Sequence, residues 1–222
     1  MLYWFFKVIL TPCLFALWRI SVKGGRHVPM RGAAIVASNH GSFLDSFFVP
    51  VSVLRRMTFV AKAEYFDRWR TRWFFQGVGQ IPIRRDGDNA SEGALLAARG
   101  VIASGNLLGI YPEGTRSTDG RLYRGKTGVA RLAISTGAPI VPCGVTGSRD
   151  VLPKGKRLPR LGKVTVSFGE PIDPAPYAAM ADRQLATRIL TDEVMRRIRD
   201  LSGQEYVDEY ARRQSGSEST AA

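Results

Sequence analysis

The sequence is poor in the residues that build covalently or metal-stabilised folds. Its 222 residues include two cysteines and two histidines, and no Cys-x-x-Cys pair occurs. The two thiols, Cys13 and Cys143, cannot form a disulfide scaffold. Two cysteines and two histidines without a Cys-x-x-Cys pair are also a poor ligand set for a zinc site. The composition therefore excludes a disulfide-rich secreted domain and predicts no metal.

Acidic residues are absent from the first part of the chain. None precedes Asp45, whereas five basic residues do, and the whole chain carries a formal net charge of +13. Such a surface predicts an anionic partner, which is nucleic acid, an acidic membrane or a phosphorylated substrate. The densest basic run consists of Lys154, Lys156, Arg157, Arg160 and Lys163. This run is predicted either to contact anionic lipid or to form a solvated loop.

A long uninterrupted apolar run is also missing, although the first twenty residues are largely aromatic and aliphatic. Lys7, Thr11 and Pro12 interrupt this segment, and a spanning helix needs about 20 largely apolar residues. Its tryptophans and basic residues suit the headgroup boundary of a bilayer. We predict an N-terminal apolar, membrane-associating helix within residues 1–23. The alternatives are a helix docked on its own domain and a true span.

Short apolar runs alternate with longer amphipathic segments along the rest of the chain. The predicted strands cover residues 33–37, 57–61, 80–83, 107–111, 139–145 and 164–168, and the predicted helices cover residues 44–54, 69–75, 89–104, 126–135 and 181–201. Pro82 places the third strand at a sheet edge. The pattern predicts an α/β fold whose mixed, largely parallel sheet is flanked by helices on both faces. This domain covers residues 24–203, and residues 204–222 form a polar tail, disordered at its end.

The segment from Asn39 to Asp45 directly follows the first predicted strand. On one continuous helix His40 and Asp45 would lie about 140° apart. The pair therefore meets only if His40 precedes the helix and the chain turns at Gly41. A carboxylate bound to one imidazole nitrogen fixes the tautomer and makes the other nitrogen a base. Taken alone, this spacing fits a structural histidine as well as a catalytic one.

A second polar segment, from Tyr111 to Ser117, follows another predicted strand. Parallel strands end at the same edge of a sheet, where α/β proteins bind ligands. Gly114 allows a ligand to approach the backbone, and the planar guanidinium of Arg116 matches phosphate. Glu113 is predicted to be ionised and to orient a cation or a hydroxyl. The alternative is an ordinary turn with a surface ion pair.

Aromatic residues cluster after the His/Asp segment and have two interpretations. They either line a tunnel for an acyl chain or pack in the core, as aromatic residues at such spacings commonly do. The residues are Phe47, Phe48, Trp69, Trp73, Phe74 and Phe75.

Four blocks of the sequence resemble the glycerol-phosphate acyltransferase family, most nearly its bacterial 1-acyl-sn-glycerol-3-phosphate O-acyltransferases (lysophosphatidic acid acyltransferases). The blocks are N-H-G-S-F-L-D, G-Q-I-P-I-R-R, Y-P-E-G-T-R-S and P-I-V-P-C, in the order and spacing of that family. The resemblance implies transfer of a fatty acyl group from acyl-CoA or acyl carrier protein to the sn-2 hydroxyl of 1-acylglycerol 3-phosphate. The implied product is phosphatidic acid, made in phospholipid biosynthesis.

The resemblance also implies roles for individual residues. His40 looks like the general base and Asp45 like the residue that orients it. The implied substrate-binding residues are Lys62, Arg85, Glu113, Gly114, Thr115 and Arg116. No cofactor is implied beyond the acyl thioester co-substrate. Pro82 and Arg84 replace the phenylalanine and aspartate usual in the second block, so phosphate binding is open between Arg84 and Arg85.

The implied substrates also predict where the protein works. A lysophospholipid and a long acyl chain partition into bilayers, so we expect a peripheral or monotopic protein at the cytoplasmic face of the cell membrane. The expected partners are these substrates, an anionic membrane surface and, as an alternative donor, acyl carrier protein. An acyltransferase for another lysolipid acceptor is the nearer alternative, and a basic nucleic-acid-binding domain is the remote one.

Overall fold

A computed structural model describes residues 2–62, 80–83, 90–153, 156 and 158–211. Its strands are β1 (Ser21–Lys23), β2 (Ala34–Ser38), β3 (Met57–Lys62), β4 (Ile81–Ile83), β5 (Leu107–Ile110), β6 (Leu122–Tyr123), β7 (Ile140–Thr146), β8 (Thr165–Phe168) and β9 (Tyr206–Val207). Its α-helices are α1 (Leu2–Trp18), α2 (Asp45–Val51), α3 (Ala90–Ala103), α4 (Gly128–Thr136), α5 (Ser148–Val151), α6 (Ala175–Ala178) and α7 (Arg183–Ser202). A 3₁₀ turn covers Gly25–His27.

Within the described ranges, seven strands form one sheet in the order β1-β8-β7-β2-β5-β3-β4. Neighbouring strands of this sheet pair in parallel, except β7 and β8, which pair antiparallel. The predicted mixed, largely parallel sheet is confirmed, and β4 lies at an edge as Pro82 predicts. Because β2 and β5 are parallel neighbours, the loops that follow them emerge at the same edge of the sheet.

The central strand β2 shows why the sheet is covered on both faces. All five of its residues are buried. Ala34 and Val36 pack in a cluster with residues of α1 and α2, whereas Ile35 and Ala37 pack in a second cluster with residues of α3, α4 and α7. Successive side chains of a strand point to opposite faces, so each face of β2 needs its own helical layer. The prediction of helices on both faces is confirmed.

The N-terminal helix α1 packs against the domain. Tyr3 and Trp18, near its two ends, are both buried. β1 follows directly and pairs with β8, so the last residues of the predicted segment 1–23 belong to the sheet. Among the described residues, no helix combines the length and the apolar character that crossing a bilayer requires. Membrane association of α1 stays a prediction.

Three short strands were not predicted from the sequence. They are β1, β6 and β9, of which β6 and β9 pair in parallel as a separate two-stranded sheet. A strand of two or three residues carries no measurable alternation, so only its neighbours in space reveal it. β9 lies within the predicted tail 204–222, and the division of the chain into three segments stays a prediction. The predicted helix 69–75 and residues 212–222 lie outside the described residues.

Candidate active site

The imidazole of His40, in the loop between β2 and α2, is held at one edge by Asp45. Its Nδ1 atom is 3.2 Å from Oδ2 of Asp45. The same oxygen accepts hydrogen bonds from the backbone N–H groups of Gly41 and Ser42, at 2.8 and 2.7 Å. Asp45 is fully buried as the first residue of α2. The predicted turn at Gly41, which brings the histidine and the aspartate together, is confirmed.

This geometry determines which ring nitrogen is available for chemistry. A carboxylate beside Nδ1 makes that nitrogen the donor, so Nε2 is the acceptor. The His40 side chain is 15% exposed, so the ring is partly accessible. A histidine with a fixed tautomer and an accessible acceptor nitrogen has the geometry of a general base.

Glu113 connects the loop after β5 to the loop that carries His40. Its two carboxyl oxygens accept the backbone N–H groups of His40 and Tyr123, each at 3.1 Å. The N–H of Ser117 in turn donates to the carbonyl of His40 at 2.7 Å. The bond between Glu113 and His40 joins residues 73 positions apart in sequence. The carboxyl group therefore fixes the two loops relative to each other.

The protonation of Glu113 differs from the sequence-based expectation of a fully ionised group. Its side chain is 1% exposed. Burial raises the pKa of Glu113 to about 7, and the two backbone N–H donors oppose that rise. Near neutral pH a substantial protonated population is therefore expected. The predicted contact of Glu113 with the acceptor substrate stays a prediction.

The Gly-Thr-Arg part of the same loop lies beside a lysine that the sequence analysis did not identify. Gly114 has φ of +71°, and a Cβ there would lie 3.1 Å from Nζ of Lys126. The ammonium of Lys126 therefore lies against the loop, while Thr115 and Arg116 are half-buried nearby in the chain. In the sequence Lys126 is recognisable only as one of several basic residues just before α4. The fold is needed to show which loop it contacts.

Two predicted phosphate-binding residues have no described side chain. The backbone of Lys62 ends β3 and pairs with Ile83 of β4. Arg85, and Arg84 beside it, lie outside the described residues. Their roles therefore stay predictions.

An open, largely apolar groove lies between α1, α2 and β3. Of the aromatic residues predicted for an acyl tunnel, Phe47 lines this groove, whereas Phe48 is fully buried in the core. The other four lie outside the described residues. The lining includes Ser46, whose hydroxyl is 3.3 Å from the hydroxyl of Tyr111. The groove thus comes close to the residues around His40.

Cys143 does not have the surroundings of a nucleophile. Cys143, in β7, is fully buried, and burial raises the pKa of its thiol to about 12. Cys13 is exposed on α1. A thiolate is the reactive form of cysteine, and the high pKa of Cys143 keeps its thiol protonated.

Comparison with known proteins adds independent information. The family model described as Acyltransferase matches residues 19–146, which is more than half of the chain. A 1-acyl-sn-glycerol-3-phosphate acyltransferase of Bacillus subtilis is 26% identical over 190 residues, covering 82% of this chain and 90% of the relative. The enzyme of the same name from Limnanthes douglasii is 36% identical over 155 residues, covering 69% of this chain and 54% of the relative.

The chloroplastic 1-acyl-sn-glycerol-3-phosphate acyltransferase of Brassica napus is 28% identical over 194 residues, which is 86% of this chain. The chain spans about half the length of this relative and of the Arabidopsis thaliana enzyme. The crystal structure of a 1-acyl-sn-glycerophosphate acyltransferase from Thermotoga maritima matches with a TM-score of 0.69 and 26% identity. That match covers 88% of this chain and 76% of the solved one.

The resemblance inferred from the four sequence blocks is therefore confirmed by two kinds of comparison. The family match includes His40, Asp45 and the whole Glu-Gly-Thr-Arg segment. The solved relative supports the same arrangement of sheet and helices. The chain belongs to the acyltransferase family.

Proposed function

We propose that the protein transfers a fatty acyl group from a thioester to the sn-2 hydroxyl of 1-acylglycerol 3-phosphate, which gives phosphatidic acid. The observation that carries this proposal is the imidazole of His40, held by Asp45 and joined through Glu113 to the Glu-Gly-Thr-Arg loop. The names of the relatives from Bacillus subtilis and Thermotoga maritima support the acceptor class.

In the proposed mechanism His40 acts as general base. Its Nε2 atom accepts the proton of the acceptor hydroxyl as the oxygen attacks the thioester carbonyl. The tetrahedral intermediate collapses by breaking the carbon–sulfur bond, and the thiol leaves as a thiolate. A thiol ionises much more readily than an alcohol, so the leaving group needs little assistance. The buried carboxylate of Asp45 keeps the imidazole oriented while it carries the transferred proton.

The oxyanion of the intermediate requires hydrogen-bond donors. The N–H groups of Gly41 and Ser42 already donate to Asp45, and that of Gly114 donates to the carbonyl of Tyr111 at 3.0 Å. We therefore assign the oxyanion contact to the next amide along the loop, that of Thr115.

The phosphate of the acceptor needs cationic groups close to the base. We assign this role to Arg116 and to Lys126, whose ammonium lies against Gly114. A guanidinium provides a two-pronged contact to phosphate, and an ammonium adds a point charge. Lys62, at the end of β3, and Arg85 complete the proposed set. Holding the phosphate in this way positions the hydroxyl for attack.

No covalent acyl-enzyme forms in this mechanism. The high pKa of the buried Cys143 thiol argues against it as a nucleophile, and Cys13 lies on α1. The mechanism uses no metal or cofactor, and the acyl thioester is a co-substrate. The acyl chain is placed in the apolar groove beside Phe47.

The outward face of α1 supports a location on the membrane. Its exposed positions follow one another at helical spacing, and every one of them is uncharged and largely apolar. They are Trp4, Phe5, Val8, Ile9, Pro12, Cys13, Ala16 and Leu17. The one lysine of the helix, Lys7, points toward the domain instead and donates to the carbonyls of Val53 and Arg55. Such a face matches the headgroup boundary of a bilayer and not water.

A second part of the proposed membrane surface adjoins the end of α1. The indole N–H of Trp18 donates to the carbonyl of Arg160 at 2.7 Å. On the same basic loop, Leu158 and Leu161 are exposed by 82% and 78%. Exposed leucines among basic residues suit insertion at anionic lipid. We place the protein at the cytoplasmic face of the cell membrane, peripheral or monotopic, with acyl-CoA or acyl carrier protein as donor.

One assay tests the reaction and the acceptor together. The purified protein receives oleoyl-CoA or oleoyl-acyl carrier protein with a panel of lysolipids that differ in headgroup, and the products are separated. We expect phosphatidic acid from 1-oleoylglycerol 3-phosphate with at least one donor. Turnover of only a different lysolipid would replace the proposed acceptor, and absence of any acyl transfer would refute the proposed function.

A further inference from the structure

The flat face of the His40 imidazole is covered by an aromatic ring. The rings of His40 and Tyr111 are parallel to within 9°, with their centroids 3.9 Å apart. Tyr111 directly follows β5, at the edge of the sheet where β2 releases the His40 loop. The hydrogen bond to Asp45 fixes one edge of the imidazole, but a single edge contact does not prevent the ring plane from tilting.

Tyr111 is itself held on its other sides. Its hydroxyl lies 3.3 Å from the hydroxyl of Ser46, and its ring stacks on Phe59 with centroids 5.2 Å apart. Phe59 occupies this place because residue 109 is a glycine: a Cβ on Gly109 would lie 2.4 Å from the Phe59 ring. His40, Tyr111 and Phe59 therefore form a continuous stack.

The phenol of Tyr111 is not suited to proton transfer. Burial, with a contribution from the nearby Asp45 charge, raises the pKa of Tyr111 well above its ordinary value. Tyr111 therefore stays neutral across the physiological range. Its contribution to the site comes from the position and face of its ring.

We propose that Tyr111 is a positioning residue that keeps the His40 ring plane, and with it Nε2, aimed at the acceptor hydroxyl. An aromatic face packs against a neutral imidazole and also attracts an imidazolium. The stack therefore holds the ring before and after it takes the proton. Asp45 fixes the rotation of the ring through its edge, and Tyr111 fixes its tilt through its face. This inference rests on the proposed role of His40 as the base.

The competing interpretation is that Tyr111 only fills space, since it also packs against the core cluster that contains Phe59. The two interpretations predict different kinetics. A positioning residue changes kcat with little change in KM, and another aromatic ring replaces it. A space-filling residue changes stability, and its leucine variant keeps the wild-type kcat in the folded protein.

The first test is a spectrum that needs no substrate. The chain has two histidines, so the imidazole proton signals of His40 are assigned by comparison with a His27→Gln variant. We expect ring-current shielding to move the His40 signals upfield in the wild-type protein and in Tyr111→Phe. The shift disappears in Tyr111→Leu. Unshifted His40 signals in the wild-type protein would overturn the proposal, whatever the variants do.

The second test is kinetic, with 1-oleoylglycerol 3-phosphate and oleoyl-CoA. We expect Tyr111→Leu to lower kcat between about ten- and a hundredfold with KM within about twofold, because misplacement by a fraction of an ångström is costly in a positioned base. We expect Tyr111→Phe, which keeps the aromatic ring, to retain at least about a third of the wild-type kcat. Tyr177→Leu, in a partly buried tyrosine of the other core cluster, serves as the matched control.

The outcomes separate this inference from the proposed function. If the wild-type protein is active and folded Tyr111→Leu retains its kcat, the positioning role is wrong while the acyltransferase proposal stands. A loss in Tyr111→Phe as large as in Tyr111→Leu would also contradict the role of the ring face. Inactivity of the wild-type protein on every acceptor would refute the proposed function and this inference with it.

Discussion

The edge of the sheet that carries His40 and the N-terminal helix hold ionisable side chains against backbone groups in different ways. At the edge, the carboxyl groups of Asp45 and Glu113 are buried and accept backbone N–H groups from both active-site loops. On α1, the ammonium of Lys7 turns inward to two backbone carbonyls, while the outward face is apolar. The first arrangement fixes atoms relative to one another, and the second fixes which face of a helix is turned outward.

Substitutions in the two regions should therefore impair different steps, turnover in one and membrane binding in the other. Substitutions at the sheet edge around His40 should reduce turnover even when substrates are dispersed in detergent. Substitutions on the outer face of α1 should weaken membrane binding and leave turnover in detergent nearly unchanged.

The largest effect is expected for Asp45→Asn. The amide presents an NH₂ group or a single oxygen where the carboxylate oxygen accepts three donors, and it no longer selects the productive tautomer of His40. We expect kcat in detergent to fall about a hundredfold, and by no more than in His40→Ala, because Asp45 acts through the His40 ring. Binding to anionic liposomes should be unchanged. Asp192→Asn, in a surface ion pair with Arg188, is the matched control.

The next prediction concerns the outer face of α1. Phe5 and Ile9 are 59% and 47% exposed and lie four residues apart. Replacing both with serine removes on the order of 1.5 kcal/mol of apolar transfer free energy each. We expect liposome affinity in sedimentation to fall on the order of a hundredfold, with detergent activity within about twofold.

Leu185 and Ile189, also four residues apart and 50% and 41% exposed on α7, provide the matched pair of serine substitutions. That control should bind liposomes like the wild type. Equal liposome binding of the α1 variant and this control would refute the role of the outer face.

Glu113→Gln tests the carboxyl group that joins the two loops. Because burial raises the pKa of Glu113 from 4.5 to about 7, the folded protein holds this proton more tightly than the unfolded chain. The wild-type free energy of unfolding therefore falls as pH rises from about 4.5 to about 7. Above about pH 7 the contribution of Glu113 does not change further. The full change in the free energy of unfolding is on the order of 3 kcal/mol.

The glutamine variant lacks this contribution, and its NH₂ group faces one of the two backbone N–H donors. In urea titrations we expect it to be less stable than the wild type near pH 4.5, with the gap narrowing toward pH 7. Parallel stability curves for the two proteins over this range would show that Glu113 does not titrate in this way.

The smallest effect is expected at Gly109. An added Cβ would displace the Phe59 ring, so we expect Gly109→Ala to lower the free energy of unfolding by about 1–3 kcal/mol. Gly93, on α3, has nothing within 4 Å of an added Cβ. Gly93→Ala should therefore raise stability by about 0.5–1 kcal/mol. Thermal melting of the two variants shows whether each substitution lowers or raises stability as expected. Stabilisation by Gly109→Ala would contradict the described stack.

The sequence predicted the parts of the site that depend on local chain direction. His40 and Glu113 each follow a strand, and parallel strands release their loops at one edge. The meeting of His40 with Asp45 followed from Gly41 and from the geometry of a helix. The core strand β2 was predicted because its apolar run is short and bounded by Gly32 and by Ser38-Asn39, as is typical of a buried strand.

The sequence did not predict contacts that depend on which strands become neighbours. The carboxyl group of Glu113 reaches the amide of His40 only because β2 and β5 are adjacent in the sheet. Lys126 lies against Gly114 because the chain after β5 folds back on itself. The stack of Tyr111 on His40 has the same origin. Burial also changes the protonation expected for Glu113, which composition alone does not show.

The central claim is that His40 is the base for acyl transfer. The most direct measurement compares kcat of His40→Ala and wild-type protein for acylation of 1-oleoylglycerol 3-phosphate in detergent, with folding checked by circular dichroism. We expect a loss of about a hundredfold or more, the usual scale for a positioned base. A folded His40→Ala protein that keeps wild-type turnover would contradict the claim.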